Sequence, residues 1–358
     1  MEILKKIKNI VSDTCVTIIL NTHRTYPENK QDPIALKNLI KEAEQRLIAD
    51  EGKRNAQTII EKLHKIENEI DHNYNLESLV IFVNEEIAEF VRLPISVDNR
   101  VIIDKTFATR DLVRALKSQA NYYVLVLSQQ KARLIEAFND KVVQEIGKPF
   151  PYENTQFYST SGDKRSEGTL QTNLMAEFFN RIDKAVNEAR KNNPKPVMIC
   201  SEEVNYHKYL EVCDQKHSIL PVFLNKNRLE EKAEAIVAEA WKILKEYQAE
   251  KNKERKAELL KAVSQNKFMT DINDIWQAIR QGKVQTLFLQ QNQYQPAIIK
   301  NDGLIELVPE ERKNEKGVID DIYDELTEEC LKFGGDVVFL PEGDLSEFNG
   351  LGAVLRYN

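Results

Sequence analysis

The chain has 358 residues, 42% of them hydrophobic and 30% charged, with a formal net charge of −7. That length provides for two or three domains, each able to bury its own core. The acidity excludes a chain-wide coating of nucleic acid, so any RNA contact must be local.

The first region opens with a short amphipathic helix over 1–11, then a β-branched run, CVTIILNTH (15–23), of strand length. A polar loop with two prolines, RTYPENKQDP, follows. Apolar residues then recur at helical spacing from 34 to about 70, and Gly52 divides this stretch into two helices. LESLVIFVNE and IAEFVRLP form a hairpin. RVIIDKTFA is a further strand, and TRDLVRALKSQ a further helix.

The second region begins with YYVLVLSQ and KARLIEAFND, two strands close enough for a hairpin, and KVVQEIGKPF adds a third. A polar stretch comes next. After it, Leu174, Phe178, Ile182, Ala185, Val186 and Ala189 mark one face of a helix ending near Lys191. KPVMICSEE is a buried strand, HKYLEVC a helix and ILPVFLNK another strand. A long Lys/Glu/Ala-rich helical stretch covers 229–263.

The third region starts with a helix capped by Thr270 or Asp271 and stopped at Gly282, then a strand. Two short strands lie in QPAIIKNDGLIELVP. VIDDIYDELTEECLKFGG is a helix with a glycine stop, DVVFLPE a strand, and the chain ends GLGAVLRYN. This alternation predicts α/β architecture in three consecutive units, 1–117, 118–250 and 251–358.

Cys15, Cys200, Cys213 and Cys330 lie far apart and form no CxxC pair, which argues for a reducing cytoplasm rather than a disulfide framework. The N-terminus has no long apolar run after its lysines, and no apolar run approaches bilayer length. No Walker loop, GxGxxG or GxSxG occurs, so no nucleotide cofactor or serine-hydrolase chemistry is expected. His207, Cys213 and His217 fit no zinc template, and no metal is expected.

The polar stretch TSGDKRSEGTLQ, Thr160 to Gln171, holds two glycines, two basic and two acidic residues, and one apolar residue, Leu170. A loop of that length between elements that pack together is functional or disordered more often than packed. In the first unit, HRTYPENK places His23, Arg24, Tyr26 and Lys30 in a proline-containing loop. Aromatic and basic residues there can stack on and hold single-stranded RNA. The competing reading is a polar connection rich in turn formers.

QAIRQGKVQTLFLQ and CLKFGGDVVFLPEGDLSEFNGLGAVLRYN resemble the closing segments of the archaeal and eukaryotic class-1 release factors and the ribosome-rescue protein Pelota, in their divergent bacterial branch. Gly350, Gly352, Leu355, Arg356 and Tyr357 carry the final part of that likeness. The resemblance implies an N-terminal α+β decoding-like domain and an RNase-H-like middle domain with an exposed loop at 159–172. It implies a C-terminal α/β/α sandwich resembling the ribosomal L7Ae/L30e-like domain. It further implies a cytoplasmic factor that enters the ribosomal A site as a tRNA mimic, with tRNA, rRNA and a translational GTPase as partners, and no membrane.

Release factors of this superfamily carry Gly-Gly-Gln on the loop before the long middle-domain helix. This chain lacks that tripeptide: Gly162 is followed by Asp163, and Gly168 is separated from Gln171 by Thr169 and Leu170. Three readings stay open. Gly168 and Gln171 act catalytically on peptidyl-tRNA in altered geometry; or Gly162, Lys164 and Arg165 touch RNA without catalysis; or the stretch is a plain surface connection. The alternatives are a non-catalytic ribosome or RNA binder of the dormancy type, and a protein-interaction module that no longer acts on the ribosome.

Overall fold

The computed structural model describes residues 2–8, 10–155, 167–315 and 317–357; side chains at 2 and 167–172 lie outside that description. Two compact units emerge. Met1–Ser118 and Asn252–Asn358 form one, and Gln119–Lys251 the other.

In chain order the first segment contains α1 (Glu2–Ile7), β1 (Cys15–Asn21), α2 (Asp32–Glu51), α3 (Lys53–Glu69), β2 (Ser78–Val83), β3 (Ala88–Leu93), β4 (Arg100–Asp104) and α4 (Arg110–Ser118). The sheet order is β3-β2-β1-β4, antiparallel throughout. Period-two alternation decides its two faces. Val16, Ile18 and Leu20 pack with Leu36, Ile40 and Leu63 of α2 and α3, whereas Cys15 and Ile19 pack with Ile7, Phe107 and Leu112 near α1 and α4. Each cluster removes several large side chains from water, at roughly 25 cal/mol per Å² of apolar surface.

The second unit contains β5 (Asn121–Leu127), β6 (Lys131–Phe138), β7 (Lys141–Glu145), β8 (Tyr152–Glu153), α5 (Glu167–Arg190), β9 (Val197–Ser201), α6 (Glu203–Val212), β10 (Leu224–Asn225) and the start of α7 (Ala233–Ser264). Strands run β10-β9-β5-β6-β7, with β5, β9 and β10 parallel and β5, β6 and β7 antiparallel. Tyr123, Leu125 and Leu127 face α5 and α6; Tyr122, Val124 and Val126 face α7. The strand expected over ILPVFLNK shrinks to Leu224–Asn225 plus one bridge, Val197 to Ile219. Pro221 has no N–H for the ladder, and Phe223 turns to stack on Tyr206 at 4.0 Å.

The last segment contains β11 (Phe268–Met269), α8 (Ile272–Arg280), β12 (Val284–Gln290), β13 (Ala297–Ile299), β14 (Ile305–Leu307), α9 (Ile322–Lys332), β15 (Asp336–Leu340) and β16 (Leu351–Leu355). Its sheet runs β11-β16-β12-β15, and β13 and β14 form a separate hairpin. Leu287, Leu289, Val337 and Phe339 pack under α8 and α9, while Phe288, Val338 and Leu340 pack with Leu259 of α7 on the opposite face. Asp271 is the N-cap of α8, accepting from the amides of Asn273 and Asp274, and Gly282 follows the helix at φ 67°. Gly350 sits at φ 79°, where a side chain would run into Gln293.

No described helix is long and apolar enough to cross a membrane.

Candidate functional site

Both ends of the central polar stretch are built into the second unit. Upstream, β8 pairs with β6, and the Asn154 amide donates to the Gln130 carbonyl at 2.8 Å, beside the β5–β6 turn. Downstream, α5 is held by Phe178, Phe179, Ile182 and Val186 in the core. Asp183 of the same helix accepts from the Tyr209 hydroxyl at 3.0 Å and the Asp214 amide at 3.1 Å. Among the described side chains of α5, Phe178 is the first that is buried, and Met175, one turn earlier, packs partly against the same cluster.

Of the residues singled out in this stretch, Gly162, Lys164 and Arg165 fall outside the described residues. Gly168 and Gln171 are described in backbone only. α5 spans Glu167–Arg190, so the two lie three residues apart within helix and not in the exposed loop expected over 159–172.

The N-terminal loop is organised by a carboxylate that sequence reading passed over. Asp32, 1% exposed, begins α2. Its Oδ1 lies 2.8 Å from His23 Nδ1; its Oδ2 accepts from the His23 amide at 3.0 Å and from Asn75 Nδ2 at 2.7 Å. Asn75 also meets His72 Nδ1 at 3.0 Å. Three donors thus satisfy a carboxylate that would otherwise be costly to bury. Asp-Pro at a helix start was the available signal, since acidic residues favour the first turn.

The four residues proposed from this loop divide by role. His23 is turned to Asp32, and Arg24 Nη2 lies 3.6 Å from Glu77, so both fasten the loop. Tyr26 is 71% exposed, with Lys30 Nζ 4.7 Å from its ring centroid and 3.2 Å from its hydroxyl. This pair presents a π-face and a cation to solvent, the combination that stacks bases and meets phosphates. Tyr74, equally exposed, stands beside Asn75 on the segment tied to the loop through Asp32.

The four cysteines are not prepared as nucleophiles. Burial pushes the thiol of Cys15 up to about 11 and those of Cys200, Cys213 and Cys330 up to about 12, so all four stay protonated at neutral pH. Among the described residues no group of three or more His, Cys, Asp or Glu could hold a metal ion.

Residues 121–283 match the family described as bacterial archaeo-eukaryotic release factor family 3. The matched stretch, less than half of the chain, lies mostly upstream of the C-terminal motifs that carried the resemblance, and the family it is similar to is of the same superfamily, in its bacterial branch. No curated protein matches the chain significantly. An archaeal translation termination factor is similar over 99% of this chain and 96% of its own, at 16% identity and a TM-score of 0.26. Ribosome-bound archaeal Pelota is similar over 79% of this chain and 80% of its own, at 13% identity and a TM-score of 0.41. Pelota of Archaeoglobus fulgidus covers 78% of this chain and 79% of its own, at 16% identity and a TM-score of 0.36.

Proposed function

We propose, from the release-factor family match over residues 121–283, that this chain is a translation factor that occupies the ribosomal A site as a tRNA mimic. The family match is the observation that carries the reading. The polar stretch rooted between β8 and α5 is its working end at the ribosome, and the Tyr26–Lys30 pair is its RNA contact in the N-terminal segment. Its partners under this reading are the ribosome, tRNA and rRNA, with a translational GTPase as escort.

Occupancy, rather than hydrolysis of peptidyl-tRNA, is the activity favoured. The Gly-Gly-Gln tripeptide is absent, and Gly168 and Gln171 start a helix, where backbone angles are fixed and a glutamine lacks the freedom that paired glycines provide. A displacement of ~1 Å in a reacting group can cost about 100-fold in rate. The second reading, hydrolysis assisted by Gln171, is supported only by its place early in α5, ahead of Met175 and Phe178.

The test is competition. Labelled protein bound to ribosomes with a vacant A site should be displaced by aminoacyl-tRNA. Retention in the presence of saturating tRNA would end the A-site reading.

A further inference from the structure

Two loops of the N-terminal segment share one hydrogen-bonded hub, and the bonds of that hub fix where its protons sit. Asn75, 4% exposed, uses a single atom, Nδ2, for two bonds: 2.7 Å to Asp32 Oδ2 and 3.0 Å to His72 Nδ1. The Asn75 amide cannot be turned about. Its oxygen would then face the Asp32 carboxylate, which has no proton to offer and itself accepts twice from His23. Nδ2 therefore donates to both neighbours, and His72 Nδ1 is the acceptor. The ring of His72 is thus neutral, with its proton on Nε2. His23 is the opposite case. Its Nδ1 donates to Asp32 Oδ1 at 2.8 Å, and a protonated ring makes the same bond.

The surroundings confine what depends on His72. On one side Arg92 Nη2 holds the Asp71 carbonyl at 2.9 Å. On the other, the Thr22 hydroxyl holds the Leu76 carbonyl at 3.0 Å and the Thr22 amide holds the Glu77 carbonyl at 2.9 Å. Between these anchors lies the turn His72–Tyr74, whose Asn73 amide is capped by Asp71 Oδ1 at 2.9 Å. The charges around the half-buried His72 ring come from three elements: Asp71 beside it, Asp32 at the start of α2 and Arg92 on β3. His23 stands on the far side of Asp32, and Arg24 is paired with Glu77 at 3.6 Å.

We propose that His72 is an acid-sensitive latch between the two loops. Neutral, it accepts from Asn75 and completes the tie to Asp32. Protonated, it turns a second donor on Asn75. Asn75 can then serve Asp32 with its nitrogen or His72 with its oxygen, but not both. Residues 72–75 come free between their anchors, carrying the exposed Tyr74, while His23 keeps its hold on Asp32. Burial, the largest cause, holds His72 below the ordinary histidine range; Arg92 adds to it, and Asp32 and Asp71 oppose it. A histidine held down in this way binds its proton less tightly folded than unfolded. Its stabilising contribution is complete above about pH 6.5 and is lost as pH falls below that value. The latch acts whether or not the chain binds ribosomes.

The test is an NMR titration of the full chain, with nitrogen-15 in its histidines and asparagines, from about pH 7.5 to about pH 5. At the upper end the His72 ring should carry its proton on Nε2 with Nδ1 bare. As pH falls, the Asn75 side-chain signals should move with the same midpoint as the His72 ring, below about pH 6.5. The latched fraction should drop by at most about tenfold per pH unit, the limit for one proton. His72→Asn, whose oxygen reaches the place of Nδ1 and does not titrate, should leave the Asn75 signals unchanged over the same range. A proton on His72 Nδ1 at about pH 7.5, Asn75 signals that do not follow His72 in the native protein, or a His72→Asn variant that keeps the native dependence would each overturn the proposal. The first two readings are made on native protein and stand even if the variant does not fold.

Discussion

Arg46 and Asp320 are 274 positions apart and meet at 2.6 Å, both almost wholly buried. Asp320 also accepts from the Ile103 amide at 2.8 Å, and Arg46 also donates to the Val101 carbonyl at 2.9 Å. The pair therefore ties α2, β4 and the segment before α9 together. Removing one partner leaves a buried charge without compensation. Arg46→Ala should lower unfolding free energy by about 3–5 kcal/mol, and Arg46→Met/Asp320→Leu by clearly less. Urea titration checks both. A double variant as damaged as the single one would show that the loss comes from packing and not from the orphaned charge.

Asp324 caps α4 across a sequence gap of more than 200 residues. Asp324→Ala should cost about 1–2 kcal/mol, the usual effect of losing an N-cap acceptor, while Asp324→Asn retains an oxygen and loses less. Near-equal losses in the two variants, again by urea titration, would show that the charge matters more than the acceptor.

Asp32 and Tyr26 should separate loop order from loop contact. Asp32→Ala removes the acceptor for three donors and should cost about 2–3 kcal/mol, with faster hydrogen exchange over residues 22–31. Tyr26→Ala alters an exposed side chain and should leave stability within about 0.5 kcal/mol. It should weaken binding of single-stranded RNA by about 1 kcal/mol or more, seen in fluorescence titration. Unchanged RNA affinity in Tyr26→Ala would remove this loop from the interface.

Peptide release measures the working end. Occupancy without hydrolysis predicts no release of labelled peptide above the ribosome's own background, for native protein and for Gln171→Ala alike. Release by native protein that disappears in Gln171→Ala would establish the catalytic reading instead.

Strong periodic stretches were the legible part of the fold. Leu36, Leu39, Ile40, Ala43 and Leu47 marked α2 because one helix stripe is buried, and β1 was marked by a run of β-branched residues. The ILPVFLNK strand was misjudged because its apolar residues serve side-chain packing, with Pro221 denying the ladder a donor. β8 and β11, two residues each, are too short to show a period. In the candidate site, Tyr26 and Lys30 were visible as an aromatic and a base in a polar loop. The hub, Asp32, was not, because its value comes from His23 and from Asn75, 43 positions away. The role of Asp320 and Asp321 before α9 was not legible either, because the arginines that meet them, Arg46 and Arg110, come from the other end of the chain.

The central claim is that this is a ribosome-bound factor, and co-sedimentation with purified ribosomes across a salt series tests it most directly. The account predicts that the protein pellets with ribosomes at low salt and is released progressively as salt rises, because phosphate contacts displace counterions. Protein that stays in the supernatant at every salt concentration would contradict it.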